Sequence, residues 1–270
     1  MRATFIGGGN MASALIGGLL KQGWSAGDLT VVEILPAARE ALVQQFGVKA
    51  QDALPERIEA EETVVLAVKP QQMRSVAREL QPRLRSQLVV TIAAGIRTQD
   101  LSRWLGGHGR IVRVMPNTPA LVLAGVSALY AMPAVDQAGR QAAERIVSAV
   151  GSALWVEREE LMDAVTAVSG SGPAYVFYFM EAIIQAAEQL GLSADQARRF
   201  TLETFYGAAC LARQSSEPPA ALRVRVTSKG GTTERALRAM EDAGVKQHLV
   251  DAVLRAAQRS RELGDELGSG

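Results

Sequence analysis

The sequence predicts a doubly wound α/β domain followed by an all-helical one, and three observations carry that reading. The first half alternates short, continuously apolar runs with amphipathic stretches; a glycine-rich turn follows the first run; and beyond about Leu161 strand-like runs give way to long helical stretches. Apolar runs that are continuous rather than alternating mark parallel strands buried on both faces. Strand and helix repeated in turn build an open sheet with right-handed crossovers.

The runs Ala3–Ile6, Leu29–Glu33, Thr63–Val68, Leu88–Ile92 and Ile111–Val114 read as strands, with Asn10–Gln22, Pro36–Phe46, Gln71–Leu80 and Thr98–Leu105 as helices between them. Gly23 and Gly47 stand where helix C-caps belong. Ser127–Met132 and Ser152–Val156 are expected as edge strands around a helix at Val135–Val150. The second half reads as helices at Ala174–Leu190, Ser193–Arg213, Thr233–Ala243 and Val245–Leu263, ending in a frayed tail, Leu263–Gly270. At 270 residues the chain is near the size at which one core gives way to two, and the change of pattern divides it into 1–160 and 161–270. The first long helix is apolar almost all round, with Val176, Phe177, Phe179, Met180, Ile183 and Ile184 among its residues. Such a helix has to be covered on every side. A helical domain this small does not supply that cover, so burial against a second subunit is expected.

Hydrophobic residues make up 48% and charged residues 21%, with a net charge of +1. No global field draws the chain to nucleic acid or a membrane surface, and neither partner is expected. Arg is scattered and interleaved with Glu, the pattern of solvated helix faces. Cys210 is the one cysteine, which excludes an intramolecular disulfide and a Cys-based zinc site; it lies in the apolar run Ala208–Leu211 and reads as a buried structural thiol. Two histidines, His108 and His248, are too few for a His-rich centre, so no metal is expected. The apolar stretch at the N-terminus is too short for a signal sequence and no run of about 18 apolar residues occurs, so the protein is expected to be soluble and cytoplasmic.

The turn itself is Gly7-Gly8-Gly9-Asn10-Met11-Ala12. Placed between a strand and a helix, it has the form that holds a dinucleotide: Gly7 for the tight turn, Gly9 for close backbone approach to the pyrophosphate, Ala12 for helix–strand packing. The pyrophosphate then sits on the free N–H groups that open the helix. Glu33 ends the second strand, where an acid accepts from the ribose 2′-hydroxyl and disfavours a 2′-phosphate; Arg39, close by in sequence, offers the opposite choice. NADPH and NADH both stand at this point.

Further motifs are Ala67-Val68-Lys69-Pro70, Arg113–Pro119 (Arg-Val-Met-Pro-Asn-Thr-Pro), Ser169-Gly170-Ser171-Gly172-Pro173-Ala174-Tyr175 and Val226-Thr227-Ser228-Lys229-Gly230-Gly231-Thr232-Thr233, the last followed by Ala236-Leu237 and Met240-Glu241. In this order, over essentially the whole chain, they resemble pyrroline-5-carboxylate reductases. Lys229 is a departure, since the family commonly has proline there, and it bears on the loop's rigidity. The resemblance implies reduction of Δ1-pyrroline-5-carboxylate to proline, the last step of proline synthesis. It also implies a Rossmann-type N-terminal domain and a helical C-terminal domain that interlocks in a homodimer, often within a ring of dimers.

Strand C-terminal ends are where an open α/β sheet places its ligands, so Ala67, Val68, Lys69, Pro70 and Asn117 are expected along the nicotinamide half of the cleft, with Lys69 shaping its loop or meeting a phosphate. Ser228, Gly230, Gly231 and Thr232 immediately precede a helix and can form an anion nest for the substrate carboxylate, the alternative being ordinary helix capping. By resemblance, Thr233 is the residue whose hydroxyl reaches the imine nitrogen. Glu217, before Pro218-Pro219, is expected to steady this loop or to touch the substrate amine.

A β-hydroxyacid dehydrogenase shares the opening turn but places a catalytic Lys, with an Asn one helical turn on, in its second domain. The only asparagines here are Asn10 and Asn117. The serines at 169–171 lack the glycine of a hydrolase elbow, and Lys229 precedes rather than follows its glycines, so no P-loop forms. A non-catalytic NAD(P)-sensing protein on the same fold is the rival of another class; the intact Ser228–Thr233 loop argues against it.

Overall fold

The computed structural model describes residues 1–269, leaving Gly270 of the expected tail outside. Eight strands form one sheet: β1 (Ala3–Ile6), β2 (Leu29–Val32), β3 (Lys49–Gln51), β4 (Thr63–Leu66), β5 (Leu88–Thr91), β6 (Ile111–Met115), β7 (Gly125–Ala131) and β8 (Gly151–Trp155), in the order β3-β2-β1-β4-β5-β6-β7-β8. Every neighbouring pair is parallel except β6 and β7, which run antiparallel with Met115 opposite Ala128. Every residue of β1, β4 and β5 is buried, as continuous apolar runs require of strands covered on both faces.

The helices are α1 (Asn10–Lys21), α2 (Pro36–Phe46), α3 (Pro70–Leu80), α4 (Thr98–Trp104), α5 (Gln137–Val147), α6 (Leu161–Val165), α7 (Gly172–Gln189), α8 (Ala194–Gln214), α9 (Pro219–Arg225), α10 (Thr232–Asp242) and α11 (Val245–Gly268), with a π-helical turn, Thr166–Gly170, after α6. Leu15, Ile16 and Leu19 of α1, Leu42 of α2 and Ile146 of α5 join one core with Phe5, Val31 and Val65. Met73, Ala77 and Leu80 of α3 and Leu101 and Trp104 of α4 join a second with Ile6, Val64 and Val89. Gly47 caps α2 in the left-handed conformation at φ +65°, and Gly23, at φ +92°, follows the end of α1.

The chain forms two compact units, Met1–Ser171 together with the described segment from Ala256 onward, and Gly172–Arg255. The first is the sheet unit. The second is all helix: α7 and α8 pack on each other, and Ser193 opens α8 through a reciprocal capping box with Gln196. No residue of α7 is buried; Phe177 is 57% and Tyr178 68% exposed. Among the described residues no helix is long and apolar enough to cross a membrane, and no group of three His, Cys, Asp or Glu is placed to hold a metal.

The structure departs from the sequence reading at four points. β7 lies inside the sheet between β6 and β8, so β8 alone of that pair is an edge. The opposite edge, β3, gave no signal, because Lys49-Ala50-Gln51 is short and partly polar and its order comes from pairing with β2. Cys210 is only partly buried in the chain.

The tail, the fourth, is not frayed. α11 runs to Gly268 with Leu267 packed against the second core, held by Arg97 Nη1 on Asp265 Oδ1 at 2.7 Å and by Arg103 Nη2 donating to the Gly268 carbonyl at 2.6 Å.

Arg113 on β6 is buried within the sheet and forms an ion pair with Glu159 at 2.9 Å, their side chains 5% and 18% exposed. The same carboxylate accepts the Thr98 N–H at 2.7 Å and the Thr98 hydroxyl at 2.5 Å, closing the N-terminus of α4. Glu159→Ala strands the Arg113 charge in a low-dielectric setting, and unfolding in urea should show a loss of about 3 kcal/mol. A loss below about 1 kcal/mol would mean that the pair does not anchor this region.

Candidate active site

The strand order reverses between β1 and β4, the point at which a doubly wound sheet leaves a crevice outside its strand C-termini. The glycine turn leaves β1 there, and Ala67–Pro70 leaves β4 beside it. Gly7 has φ +101° and donates its N–H to the Val32 carbonyl at 2.8 Å. A Cβ on Gly7 would fall 2.7 Å from the Ala67 carbonyl oxygen, so the turn is pressed against the end of β4 as only glycine permits.

Gly9 is the N-cap of α1 in extended conformation. No side chain caps that helix and no acid occupies its first turn, so the N–H groups of the first residues, Asn10 and Met11 among them, face outward without an internal acceptor. A Cβ on Gly9 would meet nothing within 4 Å. Open space over an uncapped, positively polarised helix end fits the pyrophosphate of a dinucleotide. Ala12 is buried in the first core, close to the strands as its small side chain allows. Glu33 is brought to the turn, its Oε2 accepting the Gly8 N–H at 2.9 Å.

At the end of β4, Val68 packs on the second core, Lys69 is the exposed, extended N-cap of α3, and Pro70 is its first residue. Asn117 lies just past β6, and its Oδ1 accepts the Val126 N–H at 2.9 Å, tying the loop to the start of β7. Among the described residues every peptide bond is trans, those before Pro116 and Pro119 included.

In the helical unit, Ser228–Gly231 is a tight turn closed by the Gly231 N–H on the Ser228 carbonyl at 3.0 Å, with Gly230 at φ +74°. Gly231 is the N-cap of α10, and no side chain caps the helix, so the alternative in which Ser228, Thr232 or Thr233 caps it is not what forms. Thr232 is exposed and Thr233 half-buried on its first turn. The Gly230 N–H is already taken: it donates to Glu234 Oε2 at 2.5 Å. Glu217 receives Arg225 Nη2 at 2.9 Å, joining the α8–α9 connection to the end of α9 that leads into the turn. A cavity of about 260 Å³ beside the turn is lined by Arg223, Thr227, Glu234, Leu237, Arg238 and Glu241.

Residues 159–263 match the family described as pyrroline-5-carboxylate reductase dimerisation, and residues 2–95 the one described as NADP oxidoreductase, coenzyme F420-dependent. A pyrroline-5-carboxylate reductase of Pseudomonas aeruginosa is 46% identical over 268 residues, covering 99% of this chain and 98% of that protein. The chain belongs to the pyrroline-5-carboxylate reductase family. The Escherichia coli pyrroline-5-carboxylate reductase is 37% identical over 96% of this chain and 97% of its own length. Among solved structures, the pyrroline-5-carboxylate reductase of Coxiella burnetii superposes with a TM-score of 0.89 at 38% identity, covering 97% of this chain and 98% of that one. That of Plasmodium falciparum, with NADP bound, gives 0.85 at 28%, covering 98% of both.

Within this pyrroline-5-carboxylate reductase fold, two features escaped the sequence reading. Glu234 was visible only as an acid three positions after a glycine N-cap, a spacing that allows it to reach back to the loop. Leu42 gave no signal as the support beneath the turn, although a Cβ on Gly8 would come within 2.6 Å of its Cδ1.

Gly7→Ala meets backbone at a positive φ and should lower stability by about 2 kcal/mol or more. Gly9→Ala meets open space at φ −70° and should stay within about 1 kcal/mol of the parent. Urea midpoints of the two variants check the contrast, and equal losses would contradict this geometry.

Proposed function

We propose that the chain reduces Δ1-pyrroline-5-carboxylate to L-proline with hydride from NADH or NADPH, the last step of proline biosynthesis. The observation that carries this reading is the end-to-end match to pyrroline-5-carboxylate reductases, which spans both glycine loops.

In this reading Gly7, Gly9, Asn10, Met11 and Ala12 hold the dinucleotide, with the pyrophosphate on the uncapped N-terminus of α1. Glu33 takes the adenosine ribose, and Ala67, Val68, Lys69, Pro70 and Asn117 border the nicotinamide. When bound, the cofactor supplies a hydride to the imine carbon. The loop Ser228, Gly230, Gly231, Thr232 receives the substrate carboxylate, with the first N–H groups of α10 as its donors. Because the Gly230 N–H is engaged by Glu234, a carboxylate that uses it has to displace that side chain. Glu217 acts by steadying the approach to the loop through Arg225. Thr233 directs its hydroxyl to the imine nitrogen. The imine enters protonated at nitrogen from solvent, and its C=N bond becomes C–N as the hydride arrives at carbon; the Thr233 hydroxyl positions that nitrogen and hydrogen-bonds to it.

The same reading makes the protein a cytoplasmic homodimer built through the helical unit, with dimers arranged in a ring and no nucleic acid or membrane partner. Its support is the exposed apolar surface of α7 together with the match to the dimerisation family.

Mixing protein, pyrroline-5-carboxylate and either reduced nicotinamide cofactor should give a fall in cofactor absorbance with formation of proline. No oxidation with either cofactor would refute the activity. Thr233→Ala should lower kcat by about 100-fold with cofactor affinity unchanged, while Thr233→Ser keeps most of the rate. Equal loss of turnover and cofactor binding in Thr233→Ala would remove Thr233 from this role.

A further inference from the structure

We infer that this chain selects NADH over NADPH, and that Glu33 is the specificity-determining residue, because the cofactor turn itself fixes its carboxylate while Arg39 is held away from the role of phosphate partner. The inference rests on the assignment of the glycine turn to a nicotinamide dinucleotide.

Glu33 directly follows β2, at the strand end that meets the adenosine ribose in this fold. Its two oxygens are both engaged by backbone. Oε2 accepts the Gly8 N–H at 2.9 Å, and Oε1 accepts the Leu35 N–H at 2.9 Å. The carboxylate is thus a brace between the glycine turn and the β2–α2 connection, and it cannot swing aside to admit a second anion without breaking both bonds. Gly8 sits directly on it, since a Cβ there would lie 3.3 Å from the Glu33 Cβ and Cγ. Each oxygen accepts one backbone N–H and keeps a further acceptor direction free. A ribose 2′-hydroxyl donates into such a site. A 2′-phosphate offers only acceptors and a charge of the same sign.

Arg39 is the cation that would reverse this preference. Its Nη1 donates to the Glu33 carbonyl at 2.8 Å and to the Ile34 carbonyl at 2.9 Å, while Nη2 lies 4.0 Å from Asp52 Oδ2, and the side chain is 22% exposed. The guanidinium is used to shape the β2–α2 connection rather than presented as the two-pronged donor a phosphate requires. The residues between the two, Ile34-Leu35-Pro36-Ala37-Ala38, carry no hydroxyl, amide or cationic side chain, and Ile34 and Leu35 are exposed. Nothing in that stretch replaces Arg39. The Plasmodium falciparum relative, 28% identical, was solved with NADP bound, so membership of the family does not by itself decide between the two cofactors.

Titration of the purified protein with NADH and with NADPH, read by tryptophan fluorescence and thermal shift without substrate, should give a Kd for NADPH roughly tenfold or more above that for NADH. Steady-state KM values should follow the same order. Glu33→Gln, which keeps an acceptor for one backbone amide and removes the charge, should close most of that gap by tightening NADPH. Glu33→Ser should do so as well, with a lower melting temperature from the lost brace. Equal or tighter binding of NADPH by the parent protein, or an unchanged ratio in both variants, would overturn the inference alone. Binding of neither cofactor would overturn it together with the reductase function.

Discussion

The carboxylate of Glu159 is the point on which the organisation of the sheet unit turns. It meets a buried arginine in the middle of β6, closes the N-terminus of α4 through Thr98, and sits in the segment that leads from β8 into the helices beyond. A buried ion pair adds little net stability over apolar packing, because desolvation of both groups offsets their attraction. Its effect is on placement. With Arg113 present, only a conformation that brings a carboxylate and its hydrogen bonds to that spot is tolerated, so the exit of the chain from the sheet is specified to within a hydrogen bond. The antiparallel step from β6 to β7 and the edge strand β8 return the chain to this point after the parallel series ends.

The two glycine loops have the same outline and the same kind of brace, a carboxylate on one loop N–H. At the start of α1 there is no acid in the first turn, no cap and open space above Gly9, while the Gly8 N–H of the same loop is given to Glu33. At the start of α10, Glu234 has already supplied a carboxylate to the loop's own Gly230 N–H. Each loop satisfies one of its own N–H groups, and each leaves the first N–H groups of its helix uncapped. A carboxylate-bearing substrate at α10 would fill those unpaired donors and displace Glu234 only where it reaches the Gly230 N–H.

Most of the sheet was legible because strands buried on both faces read as unbroken apolar runs, and the cofactor turn because its glycines answer to steric demands that leave few alternatives. Ala3–Ile6 and Thr63–Leu66 declare themselves residue by residue, while Lys49–Gln51 does not, since a short edge strand takes its order from a neighbour rather than from its own side chains. The same reason hid the order of Leu263–Gly268: its polar, glycine-containing sequence reads as a tail, and only Arg97 and Arg103, over 160 positions away, make it a helix end with partners. At the candidate site the residue types were readable and the hydrogen-bond assignments were not. Nothing in the order Glu33–Arg39 says which of the two side chains turns toward the glycine loop; that depends on Gly8 and Leu35 donating to one and two carbonyls accepting from the other.

The return of α11 to the sheet unit has a consequence for how the protein is made. A ribosome delivers Met1–Ser171 first, then the whole helical unit, and only after it the segment from Ala256 onward. Chains are synthesised at roughly 5–20 residues per second and N-terminal units ordinarily fold as they emerge. Here the nascent sheet has to wait, with Arg97, Arg103 and the place of Leu267 on the second core open to water, until α11 has emerged. Its completion follows synthesis of the helical unit, and a chain cut short before Ala256 has a sheet unit with one side of its core unsealed.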